Sequence, residues 1–243
     1  MNTNNTSLSR VAGKQSLDDI LESGGIKASD IIDQVAYNSK LNYHEFTDTT
    51  TRTHEYDQDD GYDEQEWFKN NSNYDELIDD LDTDDIRRFR EWTRGRFMRG
   101  QQYGGFDNMN DYDKECTRTY DRILDESVTD DGIVLSRRST AELLGMRKSK
   151  VPTADELKRM KGKLIVSKAN MSTAAAKDGL IIGADNDEKP IEYKIHIPGG
   201  AKGAGMWLGD SRISTWGPRQ REYMTNRDTL FVVGDIGTKI STV

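Results

Sequence analysis

Apolar positions along this chain change their period part-way through. From Tyr74 onward, Leu77, Ile78, Leu81, Ile86 and Phe89 recur at helical spacing, which predicts a helix running through Trp92 with Asp84 or Asp85 at its cap. Met109, Tyr112, Cys116, Tyr120, Ile123 and Leu124 mark the apolar stripe of a second amphipathic helix. Beyond the turn signal Asp130-Asp131-Gly132 the pattern shifts to short β-type runs at 133–136, 164–171, 191–197, 204–208 and 230–233. Thr153 and Glu156 have capping-box spacing for a short helix ending near Gly162. Helices followed by strands with few helical crossovers predict an α+β domain with a largely antiparallel sheet.

The N-terminal part reads differently. Residues 1–15 are polar, and 16–40 read as two short helices: Leu17, Ile20 and Leu21 form one apolar face, Gly24-Gly25 breaks it, and Ser29 caps a second. Over 42–73 the apolar residues are mostly isolated aromatics among Thr, Asp, Glu and Asn, the pattern of a solvated linker or irregular arm. The expected organisation is an acidic, partly helical N-terminal region, 1–74, followed by a domain over 75–243.

Charge sharpens this division. Residues 1–85 hold 21 acidic and 6 basic side chains, a net of −15, whereas 86–243 hold 22 acidic and 28 basic, a net of +6. The acidic pI of about 5.0 is thus a property of the first third, and the mildly basic remainder suits an anionic ligand such as a dinucleotide or nucleic acid. Only 34% of the chain is hydrophobic, so part of it contributes little to a core.

Several chemistries are disfavoured. No apolar run approaches the roughly 20 residues that cross a bilayer, and residues 1–10 have no apolar stretch like a signal peptide. The single cysteine, Cys116, leaves no intramolecular disulfide framework or multi-cysteine metal site. Gly199-Gly200-Ala201-Lys202-Gly203-Ala204-Gly205 invites a phosphate-loop reading, but it lacks the GxxxxGK[ST] order and β-type sequence follows it, so a turn between strands is expected. His44-Glu45 and His54-Glu55 lack the second histidine of a zinc-protease helix. His196, flanked by Ile195 and Ile197, is expected to point away from them on a strand.

Three segments gain meaning together: Leu135-Ser136-Arg137-Arg138, a strand ending in arginine; Asn170-Met171-Ser172-Thr173-Ala174, a strand ending in hydroxyls; and Gln220-Arg221-Glu222 after a turn-rich loop containing Trp216. Singly, each has an ordinary reading as a surface charge, a turn cap or a solvated carboxylate. Their order and spacing resemble the toxin-like mono-ADP-ribosyltransferases of the arginine–serine–glutamate group, in the Gln-x-Glu variant. The stretch Ile195-His196-Ile197-Pro198-Gly199-Gly200-Ala201-Lys202-Gly203-Ala204 is similar to the family's strand and turn, and Arg227-Asp228-Thr229-Leu230-Phe231-Val232-Val233 to its closing strand. The resemblance covers about residues 75–243. It departs from the family pattern at Ala174, where a serine is usual, at Asn170 in place of an aromatic, and at Arg138 in place of glycine.

The resemblance implies an ADP-ribosyltransferase-like split antiparallel β-sandwich with flanking helices and NAD as co-substrate, with no metal. It implies that Arg137 clamps the phosphates, bidentate as a lysine would not be. Glu222 stabilises positive charge developing on the ribose, as a carboxylate does in glycoside hydrolysis, and Ser172 holds that carboxylate. Thr173 supports either the strand end or the nicotinamide pocket. Gln220 disfavours an arginine acceptor and points to another side chain or a nucleic-acid base. Trp216 either stacks on the acceptor or anchors the fold. Arg212, Arg219 and Arg221 around it suit a phosphate-rich partner, or are solvated loop charges.

The expected function is therefore transfer of ADP-ribose from NAD to a protein or nucleic-acid acceptor, with release of nicotinamide. The alternative is a catalytically silent module of the same fold, serving as a structural or interaction protein, for example of a phage particle. The acidic N-terminal region is expected to serve an assembly or inhibitory partner. No membrane partner is expected. The expected site of action is the host cytoplasm, with synthesis there or delivery by a phage particle or a contact-dependent system, as an effector.

Overall fold

The computed structural model describes residues 43–46, 62–93, 106–147, 150–167, 169–175, 191–215 and 221–234. The expected helices of 16–40 lie outside the described residues. Eight strands and five α-helices are formed here: β1 (Tyr43–His44), α1 (Tyr62–Asn70), α2 (Tyr74–Asp79), α3 (Thr83–Thr93), α4 (Asp111–Glu126), β2 (Gly132–Ser139), α5 (Ala154–Lys158), β3 (Leu164–Ser167), β4 (Met171–Ala174), β5 (Ile191–Ile197), β6 (Gly205–Trp207), β7 (Glu222–Thr225) and β8 (Thr229–Val232). Helices precede a mainly antiparallel β region, the α+β arrangement expected from the pattern.

The helical half follows its apolar stripes, with two local corrections. The helical spacing from Tyr74 onward is divided between α2 and α3, and α3 runs through Trp92 as expected. The cap of α3 is Asp82, whose Oδ1 accepts from the Asp85 amide at 2.7 Å, rather than Asp84 or Asp85. Asn110 caps α4 by accepting from the Asp113 amide. Trp92 stacks on Tyr120 at 3.5 Å between ring centroids, joining α3 to α4, and Phe89 packs beside them. Tyr112, assigned to the apolar stripe, is instead 40% exposed, because the buried face of α4 runs through Cys116, Tyr120, Ile123 and Leu124. The capping box of Thr153 and Glu156 forms at α5 as expected.

The larger sheet runs β1-β2-β4-β7-β6, with β5 paired along β2 from Ile133–Ile197 to Ser139–Ile191; β3 and β8 form a separate two-stranded sheet. All these pairings are antiparallel except β1 with β2. The single run expected over 164–171 is two strands, β3 and β4, one in each sheet. Ser167 Oγ donates to the Ala169 carbonyl at 2.7 Å, and buried Asn170 donates to the Thr225 carbonyl at 3.3 Å, where the chain passes between sheets. His196 is exposed and Ile195 and Ile197 are buried, as a two-residue period requires.

Residues 62–70, read as part of a solvated stretch, form α1. The core joins Phe46 and Phe68 to Trp207, Tyr223 and the helices, so it draws on residues from both sides of position 74. Phe68 stacks on Trp207 with centroids 5.4 Å apart, and His44 stacks on Trp67. The glycine-rich segment 199–205 is the expected turn, between β5 and β6. A Cβ on Gly199 would lie 2.3 Å from the Asp130 carbonyl oxygen, and Gly200 has φ 73°. The Gly200 and Gly203 amides donate to the carbonyls of Thr129 and Ser127, which commits donors that a phosphate cradle would have to offer.

Candidate active site

Three strands bring the expected site residues together. In β7 the residue Glu222 lies opposite Ala174 of β4, and Met224 lies opposite Ser172. Side chains two residues apart share a face, so Ser172, Ala174 and Glu222 emerge on the same side of the sheet. The Ser172 hydroxyl lies close enough to the Glu222 carboxylate to favour its charged form. Among the described residues, β2 meets β4 at the single rung Ser136 with Ala174, while β5 pairs with β2 from Ile133 to Ser139. Arg137 is the first residue past that rung, and its Nη1 donates to the Ser172 carbonyl across the parting strands. The guanidinium, the hydroxyl and the carboxylate thus form one contiguous cluster where the sheet splits.

Burial governs the electrostatics. Glu222 is 9% exposed, and loss of water pushes its carboxyl pKa up, against the opposing pull of the Ser172 hydroxyl and the Arg137 charge. Burial lowers the Arg137 pKa, and Tyr193 and Glu222 oppose that shift. Tyr193, across from Arg137 on β5, donates from its hydroxyl to the Thr140 carbonyl at 2.9 Å, and burial pushes its own pKa up to about 12. Arg137 Nε is buried with no hydrogen-bond partner among the described residues. A buried donor without a partner costs free energy, so this atom is one that a ligand oxygen would satisfy. The arrangement offers a cationic donor for an anion beside a buried carboxylate able to face developing positive charge.

The remaining candidates fall into three positions. Thr173 is 4% exposed, and its Oγ1 donates to the Tyr223 carbonyl at 2.6 Å, pinning β4 to β7 on the side away from Glu222. Ala174 and Asn170, where the motif departs from the family pattern, are both buried. Trp216, Arg219 and Gln220 lie outside the described residues. Two arginines expected near Trp216 prove to be engaged. Arg212 bonds Asp210 and Asp79, each at 2.8 Å, which ties the β6–β7 connection to α2. Arg221 is not a surface charge: it is 3% exposed, and its Nε lies 3.3 Å from Glu64 Oε1 of α1.

That pairing had no signal in the sequence. Glu64 sits in an acidic stretch where one carboxylate resembles the next, and Arg221 lies in an arginine-rich loop. Its backbone is also unusual, with φ 47°, a left-handed conformation costing a residue with a side chain on the order of 1–3 kcal/mol. Among the described residues no group of three or more His, Cys, Asp or Glu is arranged to hold a metal ion, and no helix is long and apolar enough to cross a membrane.

Comparison with known proteins agrees with this architecture. A family model described as ADP-ribosyltransferase exoenzyme matches residues 64–242. Among solved structures, C3stau2 from S. aureus, determined with NAD, superposes with a TM-score of 0.60 at 15% identity, covering 82% of this chain and 93% of that one. The Clostridium limosum C3 exoenzyme gives 0.58 at 17% identity, covering 82% and 92%. Plx2a, an ADP-ribosyltransferase toxin from Paenibacillus larvae, gives 0.57 at 18% identity, covering 75% and 90%. At such identities the structural likeness speaks for the fold. No match was found among curated proteins.

Proposed function

This chain belongs to the ADP-ribosyltransferase exoenzyme family and is an NAD-dependent transferase, and from that premise we propose that Arg137, Ser172 and Glu222 carry its chemistry. The coarse reaction is mono-ADP-ribosylation. NAD supplies an ADP-ribose unit whose bond to the nicotinamide nitrogen breaks with both electrons leaving on nicotinamide. A new bond forms from the same ribose carbon to an acceptor nucleophile, which gives up its proton.

The observation that carries the reading is that Arg137 donates to the Ser172 carbonyl and that both residues act on the Glu222 carboxylate where β2 and β4 part. Arg137 binds phosphate oxygens, for which its buried, unpartnered Nε is suited. Glu222 faces the ribose and stabilises the positive charge that grows as the glycosidic bond lengthens. Ser172 fixes the carboxylate's orientation before substrate arrives, so little reorganisation is needed during the reaction. Gln220 and Trp216 belong to the acceptor side of this reading. A glutamine two residues before the carboxylate favours an amide-like partner, so the acceptor we propose is a protein side chain other than arginine, or a nucleic-acid base.

Labelled NAD tests the proposal directly. The protein releases nicotinamide and transfers label to lysate macromolecules, and Glu222→Gln lowers turnover by on the order of 10²–10³. Protease or nuclease digestion of the labelled product identifies the acceptor class. Normal turnover by Glu222→Gln would remove Glu222 from the mechanism, and no release by the unaltered protein would favour a silent module.

A further inference from the structure

The ion pair between Glu64 and Arg221 stands out among the charged contacts. Both side chains are almost fully shielded from solvent, at 1% and 4% exposure, whereas in each other ion pair given for the described residues at least one partner is more than 15% exposed. It joins α1 to the residue immediately before Glu222. Among the ties on that dipeptide, three bear on its backbone and on the Arg221 side chain. The Arg221 carbonyl accepts from the Ala175 amide at 2.8 Å, the Glu222 carbonyl accepts from the Leu208 amide at 2.7 Å, and the Arg221 side chain is held by Glu64. The first two ties are backbone bonds available to any sequence, while the third depends on these two side chains. The left-handed backbone at Arg221 persists only where surrounding contacts enforce it.

From this geometry we propose that Glu64 is a positioning residue for Glu222. It draws the Arg221 guanidinium into the core and thereby fixes the peptide from which the Glu222 side chain departs. The same contact keeps a cation off the neighbouring carboxylate. Were Arg221 released, it would be the covalently nearest positive charge to Glu222 and a competing partner for it. Glu64 therefore influences turnover without touching substrate. The proposal rests on the reading of Glu222 given above, and the test separates the two.

Two variants decide it, each measured for melting temperature and for kcat and KM of nicotinamide release. Glu64→Gln removes one charge with almost no change of shape. The double variant Glu64→Met with Arg221→Met replaces the pair by apolar groups, an exchange that is often neutral or stabilising for a buried ion pair. We expect both to stay folded at the assay temperature. Their kcat should fall roughly ten- to a hundredfold, the range a displacement of about 1 Å can cause, and KM for NAD should change less than about threefold. Full kcat in the double variant would overturn the proposal, since packing alone would then suffice. Loss of fold in both would overturn it too, making the pair a stability element. If Glu222→Gln proves fully active, the mechanism itself fails; if Glu222→Gln is inactive while the double variant is normal, only the positioning role fails.

Discussion

Burial raises the pKa of Glu222 above the ordinary glutamate value, and neither the Ser172 hydroxyl nor the Arg137 guanidinium cancels that shift. A carboxyl with a folded-state pKa above its unfolded value opposes folding once it ionises. The penalty is absent below the unfolded pKa of about 4.3, grows as pH rises through the folded pKa, and is complete above it. Glu222→Gln removes the buried charge, so this variant should melt higher than the unaltered protein at pH 7–8. A gain of one kcal/mol corresponds to roughly 2–4 °C in a chain of this size. The advantage should shrink as pH falls toward about 4. Thermal melts across pH check both the sign and the window; a lower melting temperature for Glu222→Gln at neutral pH would mean that its hydrogen bonds outweigh desolvation.

The caps and breaks of individual elements explain why similar sequence signals differ in consequence. Asp84 and Asp85 are the expected caps at the start of α3, yet the residue at the cap is Asp82. Asp84 makes an exposed pair with Arg87, whereas Asp85 joins Arg122 of α4 at 2.5 Å. Asp82→Ala should therefore cost about 1 kcal/mol, the value typical of a lost cap, and Asp84→Ala distinctly less because exposed pairs contribute little. Chemical denaturation of the two variants distinguishes them, and equal losses would remove Asp82 from the capping role. The same scale accounts for α1. Its inward positions are Glu64, Phe68 and the half-buried Trp67, and a carboxylate in an apolar stripe hides the helical period. Glu64 is tolerated there because Arg221 meets it.

Taken whole, the described residues on either side of position 74 share a common core. Phe46 and Phe68 are 7% and 1% exposed, and both pack in the cluster that contains Trp207 and Tyr223. Deleting one large buried aromatic side chain costs about 3–5 kcal/mol, against a total stability of roughly 5–15 kcal/mol for a natural domain. A chain beginning at residue 75 loses both rings and leaves Arg221 buried without Glu64. It should therefore lack a cooperative unfolding transition, whereas a chain beginning at residue 43 should keep one. Circular dichroism melts of the two truncations test this, and a native-like melt from 75–243 would show the N-terminal contacts to be dispensable.

The boundary between local and distant causes runs through this protein at identifiable residues. Periodicity and capping made α4, β5 and the Thr153–Glu156 box legible, because these features depend on side chains within a few positions of one another. The motif order made Arg137, Ser172 and Glu222 recognisable as a set, since each belongs to a short motif of distinctive residue types. Strand β7 carries no alternating mark in the sequence because all four of its residues are buried, which erases the pattern of a half-exposed strand. The division of 164–171 between two sheets was equally hidden, as both pieces carry the same β-type composition. Only the folded chain chose Asp82 over its neighbours, turned Arg221 inward to Glu64, and brought the guanidinium of one strand against the carbonyl of another. Those choices depend on which surfaces meet across long stretches of chain, and a carboxylate or a guanidinium bears no local mark of the partner it will meet.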